Sequence, residues 1–289
     1  MTTLAQWVEG ARPRTLGLAV APVAVGTAAG TIDAAPVWWR AGAALVVALA
    51  LQVGANYAND YADGVRGTDA DRRGPLRLTA AGLATPAAVK RAALGSFAVA
   101  AVVGTVLSIV VEPLLILLGV ACVAAAWWYT GGSRPYGYSG WGEVAVLACF
   151  GFAATVGSAY VQAGTVPAEA WWASLVVGLP ACAVLLANNL RDIDTDRLAG
   201  KRTLAVRTGA TVTRRLFVGC LAGALLAVIP IAVAHLAAWL ALLALPFAAG
   251  PVRLVLTRDD SPSLVRALVG TVRFTLVLAL LLTVGLALA

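Results

Sequence analysis

Asn59, Asp60 and Asp63, followed by Asp69 and Asp71, close one long apolar segment; Asn188, Asn189, Asp192, Asp194 and Asp196 close another. These two runs hold half of the chain's 14 acids, in a sequence that is 61% hydrophobic and 12% charged. Carboxylates crowded beside an apolar segment repel one another unless a cation or a water-filled cavity accepts them. Collecting them twice points to divalent metal.

The spacing sharpens this. On a continuing helix Asn59 and Asp63 share a face, with Asp60 beside Asp63 at i, i+3. Gly64 and Gly67 are expected to break that helix, so that Asp69 and Asp71 fold back toward the same point. In the second run Asp192 and Asp196 share a face with Asn188 one turn earlier, while Asp194 points elsewhere. Each run therefore offers a carboxylate pair and an amide oxygen. Hard oxygen ligands without histidine or thiolate favour Mg²⁺, which is usually held by one or two carboxylates together with substrate phosphates. Two such pairs facing each other suit a diphosphate clamped between two metal ions. Arg72, Arg73, Arg77, Lys201 and Arg202 follow closely and would neutralise the remaining phosphate charge.

The elements that must position these groups are membrane spans. Mean hydropathy is +0.87, and long stretches carry no charge. Nine apolar segments are expected: 15–31, 38–58, 87–111, 114–130, 143–163, 170–190, 214–234, 236–256 and 264–288. Placing the N-terminus in the cytoplasm puts every one of the 21 basic residues inside except Arg40. The positive-inside rule thereby supports the count, and adding or deleting one span would scramble it. The net charge of +7 is a topology signal, which argues against a nucleic-acid interface. A plasma-membrane protein with its active loops cytoplasmic is the expectation, as one polytopic domain over 1–289.

The acidic runs end the second and sixth spans, which suggests two four-helix halves and an added ninth helix. A third segment on the same expected face, 129–143, brings Tyr136, Tyr138 and Arg134 among glycines. The tyrosines could line an aromatic acceptor's pocket or face a developing cation, or simply form an interfacial belt. Cys122, Cys149, Cys182 and Cys220 lie in apolar segments without metal spacing and read as small core residues. His235, the single histidine, falls in an outer turn with no expected partner. Arg12 and Arg14 before an apolar stretch resemble a signal peptide, but eight further spans favour a retained first helix.

At these residues the sequence resembles the UbiA superfamily of intramembrane prenyltransferases. That family carries an Asn/Asp motif after its second span and an Asp motif after its sixth. The resemblance covers nearly the whole chain, and within the family it is strongest to the branch that prenylates 1,4-dihydroxy-2-naphthoate in menaquinone synthesis. Segments 11–16, 59–69, 73–77, 135–143 and 200–207 carry it. The general family pattern has three residues between its second and third acidic positions, whereas five separate Asp63 from Asp69. That longer loop is similar to the naphthoate branch, and leaves Asp69 or Asp71 as the third ligand.

The resemblance implies an all-α bundle of nine transmembrane helices around a central cavity. It implies one Mg²⁺ site at Asn59, Asp63 and Asp69, a second at Asp192 and Asp196, and Asp60 as an additional ligand or orienting group. Its substrates would be polyprenyl diphosphate and 1,4-dihydroxy-2-naphthoate within membrane lipid, with Arg134, Arg77 and Lys201 as candidates for the acceptor carboxylate. Other acceptors such as 4-hydroxybenzoate would use the same metal site. Two other classes fit these residues less well. Asp60-Tyr61-Ala62-Asp63-Gly64 matches the opening of the CDP-alcohol phosphotransferase motif, but the rest of that motif is absent. A cation-coupled transporter would place its acids near the bilayer midplane rather than at one face.

Overall fold

The computed structural model describes residues 2–68 and 76–289. Its described residues form helices and no strand. A short helix, α1 (Leu4–Gly10), is closed by a capping box in which Thr3 and Gln6 satisfy each other's backbone amides. Then come α2 (Gly17–Ala29), α3 (Trp38–Arg66), α4 (Pro86–Val111), α5 (Leu115–Trp128), α6 (Gly142–Ala163) and α7 (Ala168–Arg191). The short α8 (Ile193–Leu198) precedes α9 (Leu204–Ala234), α10 (Leu236–Thr257) and α11 (Ser261–Ala287).

Seven of these are long and apolar enough to cross a membrane. Two more, α2 and α5, are apolar but only 13 and 14 residues long. At a rise of ~1.5 Å per residue they cover about 20 Å, short of a bilayer core. Each falls within one of the nine expected segments. The protein is a multi-pass membrane protein whose outward faces are leucine and valine.

Packing separates the bundle into a tight and an open part. Helix α7 is the central strut: 72% of its apolar window is buried. It packs on α9 and α11, where Phe217, Leu221, Phe274, Leu278 and Leu282 fill the main core. Glycines allow close helix approach there, since a Cβ on Gly178 would sit 2.7 Å from Gly151 Cα of α6. Helix α5 has no buried residue. It leans on α3 and α4 and leaves space behind it.

Buried polar groups of α3 fix the entry of the chain. Gln52 Nε2 donates to Thr15 O at 2.8 Å, Asn56 Nδ2 to Ala11 O at 2.9 Å, and Tyr57 Oη to Trp7 O at 2.7 Å. Between these tethers Arg12 adopts a left-handed conformation, φ 59°, alone among the described non-glycine residues. Gly64 does not break α3 as expected. The helix runs on until Gly67, which caps it at φ 73°. Gly64 serves a different need: a Cβ there would come within 2.5 Å of Thr79, so the returning loop could not lie against the helix.

The end of the bundle opposite the acidic runs corrects one expectation. His235 has a partner, with Nε2 3.1 Å from Glu169 Oε1 at the start of α7. The acid lies 66 residues earlier in the chain, a distance at which sequence inspection gives no pairing.

Candidate active site

Continuation of α3 beyond its apolar part carries Asn59, Asp60 and Asp63 to one end of the bundle, where α7 also ends. A cavity of about 770 Å³ opens at that end and runs between α3, α4, α5 and α6. Asn59, Asp63, Arg77, Asp192, Asp196 and Lys201 line its polar end; its depth is walled by side chains such as Ala100, Leu107, Leu115 and Phe150.

Asp63 is the hub. The Tyr138 hydroxyl donates to Asp63 Oδ1, while Arg77 Nη2 and Lys201 Nζ lie 3.6 and 3.5 Å from Oδ2. Lys201 Nζ is also 3.8 Å from Asp196 Oδ1 and 4.7 Å from the Tyr138 ring centre. One ammonium therefore joins the two acidic runs. Burial, and then the neighbouring Asp63 charge, push the Tyr138 phenol well above its ordinary value, so it remains a neutral donor. Asn59 Oδ1 accepts from Thr130 Oγ at 2.8 Å, which ties the same face to the 129–143 segment.

In the second run α7 stops at Arg191 and α8 starts at Ile193, with Asp192 at the junction (φ −99°, ψ 8°). The Asp196 amide still donates to Asp192 O at 2.8 Å, preserving the helical i, i+4 relation across the break. Arg191 grips Asp192 with both Nε (2.7 Å) and Nη2 (2.6 Å), and Nη2 also donates to Asn188 Oδ1 at 2.8 Å. Asp194 points outward as expected, 93% exposed at its side chain and 3.7 Å from Arg197.

Several expected residues stand elsewhere. Asp60 is turned from the cavity: its Oδ2 accepts from Leu78 N at 2.7 Å and its Oδ1 from Thr79 N at 2.9 Å. With both oxygens bound to a loop and only 1% of the residue exposed, it anchors that loop rather than facing substrate. Arg134 and Arg202 are exposed and line no part of the cavity. Arg202 contributes its backbone, whose N–H donates to Tyr138 O at 2.7 Å. Tyr136 does line the cavity, but its hydroxyl is committed to Ala125 O at 2.7 Å, leaving the ring as the available surface. Asp69, Asp71, Arg72 and Arg73 lie outside the described residues. Cys122 and Cys149 line the cavity wall instead of filling a closed core.

Sequence reasoning overlooked three groups. Arg191 reads as one more membrane-flanking charge, and only its place beside Asp192 hints at the grip. Arg66 donates to Thr130 O and Gly132 O, pinning the loop that carries Tyr138. Arg12, set by its left-handed backbone, reaches the cavity.

The donor set fits Mg²⁺. It is carboxylate and amide oxygen throughout, and a Lys201 ammonium already occupies a position between two carboxylates that a cation satisfies. Among the described residues no three His, Cys, Asp or Glu side chains form a closed cage. An incomplete cage suits an ion that completes its octahedron with phosphate oxygens and water.

An all-helical membrane bundle, with a polar, cation-seeking mouth on a deep apolar cavity, suits an enzyme that releases a charged leaving group from a lipid tail. The chain belongs to the UbiA prenyltransferase family, whose model matches residues 19–274. It is 51% identical over 256 residues to the 1,4-dihydroxy-2-naphthoate octaprenyltransferase of Mycobacterium tuberculosis (strain ATCC 25618 / H37Rv), covering 88% of each chain. It is 39% identical over 296 residues to the Escherichia coli (strain K12) protein of the same name, covering 96% of this chain and 94% of that one. In fold it is similar to a UbiA homolog from Archaeoglobus fulgidus bound to GPP and Mg²⁺, with a TM-score of 0.67 at 12% identity over 96% of this chain and 99% of that one.

Proposed function

We propose that this protein transfers a polyprenyl chain from polyprenyl diphosphate to 1,4-dihydroxy-2-naphthoate, with loss of the ring carboxylate, to give demethylmenaquinol for menaquinone biosynthesis. The observation that carries this reading is the gathering of Asp63 and Asp196 around Lys201, with Asp192 beside them, at the mouth of an apolar cavity of about 770 Å³. The identity to two naphthoate octaprenyltransferases supports the choice of acceptor.

Two Mg²⁺ ions, one held by Asn59 and Asp63 with Asp69 and one by Asp192 and Asp196, would neutralise the diphosphate and stabilise it as a leaving group. The protein's own groups prepare that event. Tyr138 holds Asp63 in one orientation, and Arg191 holds Asp192. Arg77 and Lys201 are poised to take up phosphate charge as the allylic carbon–oxygen bond breaks. The cavity walls keep water from the prenyl cation, with the Tyr136 ring among them. The electron-rich ring then attacks the cation, and its carboxylate leaves as carbon dioxide. Arginines and lysines flanking this end of the bundle support a cytoplasmic location for it and for the N-terminus, in the plasma membrane.

The test is a prenyl-transfer assay with purified protein in detergent, Mg²⁺, a polyprenyl diphosphate and a panel of aromatic acceptors, read by product mass and diphosphate release. Prenylated naphthoquinol with stoichiometric diphosphate is the expected result. Product from 4-hydroxybenzoate alone would reassign the acceptor. Cation movement across sealed vesicles with no diphosphate released would make the protein a transporter.

A further inference from the structure

Glu143 is a carboxyl group that the diphosphate chemistry does not use. It lies at the start of α6, only 9% exposed, one helix away from a site that binds an anion. Its Oε1 accepts from Asn189 Nδ2 at 3.0 Å, and its Oε2 is buried with no hydrogen-bond partner among the described residues. The Cys182 thiol donates to the Glu143 peptide oxygen at 3.2 Å, so α6 and α7 are joined at this point by main chain as well as side chain.

The contact fixes the amide of Asn189. In the structure Asn189 turns its NH₂ toward Glu143 Oε1. Its carbonyl oxygen is then left for another donor, and among the described residues no hydrogen bond to it is formed. Asn189 lines the cavity three residues before Asp192, less than one helical turn deeper than the diphosphate end. The cavity therefore presents a bare, oriented hydrogen-bond acceptor beside the reacting region.

A bare acceptor selects a donor. A polyprenyl diphosphate carries none: its phosphate oxygens accept and its tail is hydrocarbon. A dihydroxy-aromatic acceptor brings two O–H groups. We propose that Asn189, oriented by Glu143, receives a phenolic hydroxyl of the aromatic acceptor and so determines which ring is accepted and how it is presented. Asn189 is the contact; Glu143 is a positioning residue acting through it. This rests on the aromatic prenyl-transfer reading above and deepens it.

The experiment measures KM separately for each substrate in wild type, Asn189→Ala and Glu143→Gln, and compares the naphthoate acceptor with its two mono-O-methyl ethers. Asn189→Ala should raise the acceptor KM roughly tenfold or more, with the polyprenyl diphosphate KM unchanged. Wild type should reject one ether, and Asn189→Ala should lose that discrimination. Glu143→Gln is isosteric but can offer either amide end, so it should shift acceptor KM the same way and less. It also serves as the reading should Asn189→Ala fail to fold. Equal changes in both KM values, or retained discrimination between the ethers, would overturn the inference while wild-type turnover leaves the proposed function standing. Failure of wild type with every aromatic acceptor would overturn both.

Discussion

The two acidic runs look alike in sequence and are built differently. In the first, α3 continues unbroken and its acids part company: Asp60 serves the returning loop while Asp63 enters the cavity. In the second, the helix breaks at Asp192, and Asp192 and Asp196 both face the cavity. The first run borrows its cations from elsewhere, Arg77 from the loop and Lys201 from beyond α8. The second carries its own, Arg191, gripping the adjacent acid. A motif's composition thus sets which ligands are available. The elements packed beside it decide which of them reach the site.

The comparison breaks first, if it is wrong, at the acids said to be equivalent. Asp63→Asn and Asp192→Asn should each lower kcat by about 10²–10³-fold in the prenyl-transfer assay, with folding in detergent preserved. Near-normal activity in either would sink the paired-site reading. Lys201→Ala removes the one ammonium shared by both runs. It should cost roughly ten- to a hundredfold in kcat/KM for the diphosphate substrate, and a loss confined to the aromatic acceptor would place Lys201 elsewhere in the chemistry.

Asp60 tests the division of labour within the first run. Asp60→Ala strands two buried amides, at roughly 1–3 kcal/mol each, so the melting temperature in detergent should fall by several degrees. Full stability with abolished turnover would instead make Asp60 a ligand.

The smallest effect is at high pH. Burial pushes the Tyr136 phenol up to about 12, against an unfolded value of about 10. A raised value means that the folded state holds the proton more tightly, so this stabilisation is complete below pH ~10 and is lost as pH rises from there toward 12. Tyr136→Phe should flatten that part of the stability profile. An unchanged profile would show that the ring is not buried against α5.

Much of this was legible beforehand because membranes constrain sequences severely. The apolar segments marked most of the long helices among the described residues to within a few residues, although α3 runs eight residues past its expected segment and α9 starts ten before its own. Asp63, Asp192 and Asp196 were legible because few acids occur in so apolar a chain. Arg134 and Arg202 stand outside the cavity wall, and the sequence could not show it: arginines are plentiful at this end of the bundle, and only contact distinguishes a site cation from a topology signal. The hold of Asp60 on the loop was not legible, because nothing in its own neighbourhood reveals a segment 18 residues later offering two amides.

By itself, then, the sequence determined the apolar helices and the hard-oxygen chemistry of the two runs, since hydropathy and ligand type are properties of residues in order. Only the tertiary structure decided which acids of each run face the cavity, that one lysine joins both runs, and that Glu143 holds the amide nitrogen of Asn189. Those are matters of angle and distance between residues far apart in the chain, and packing alone brings them together.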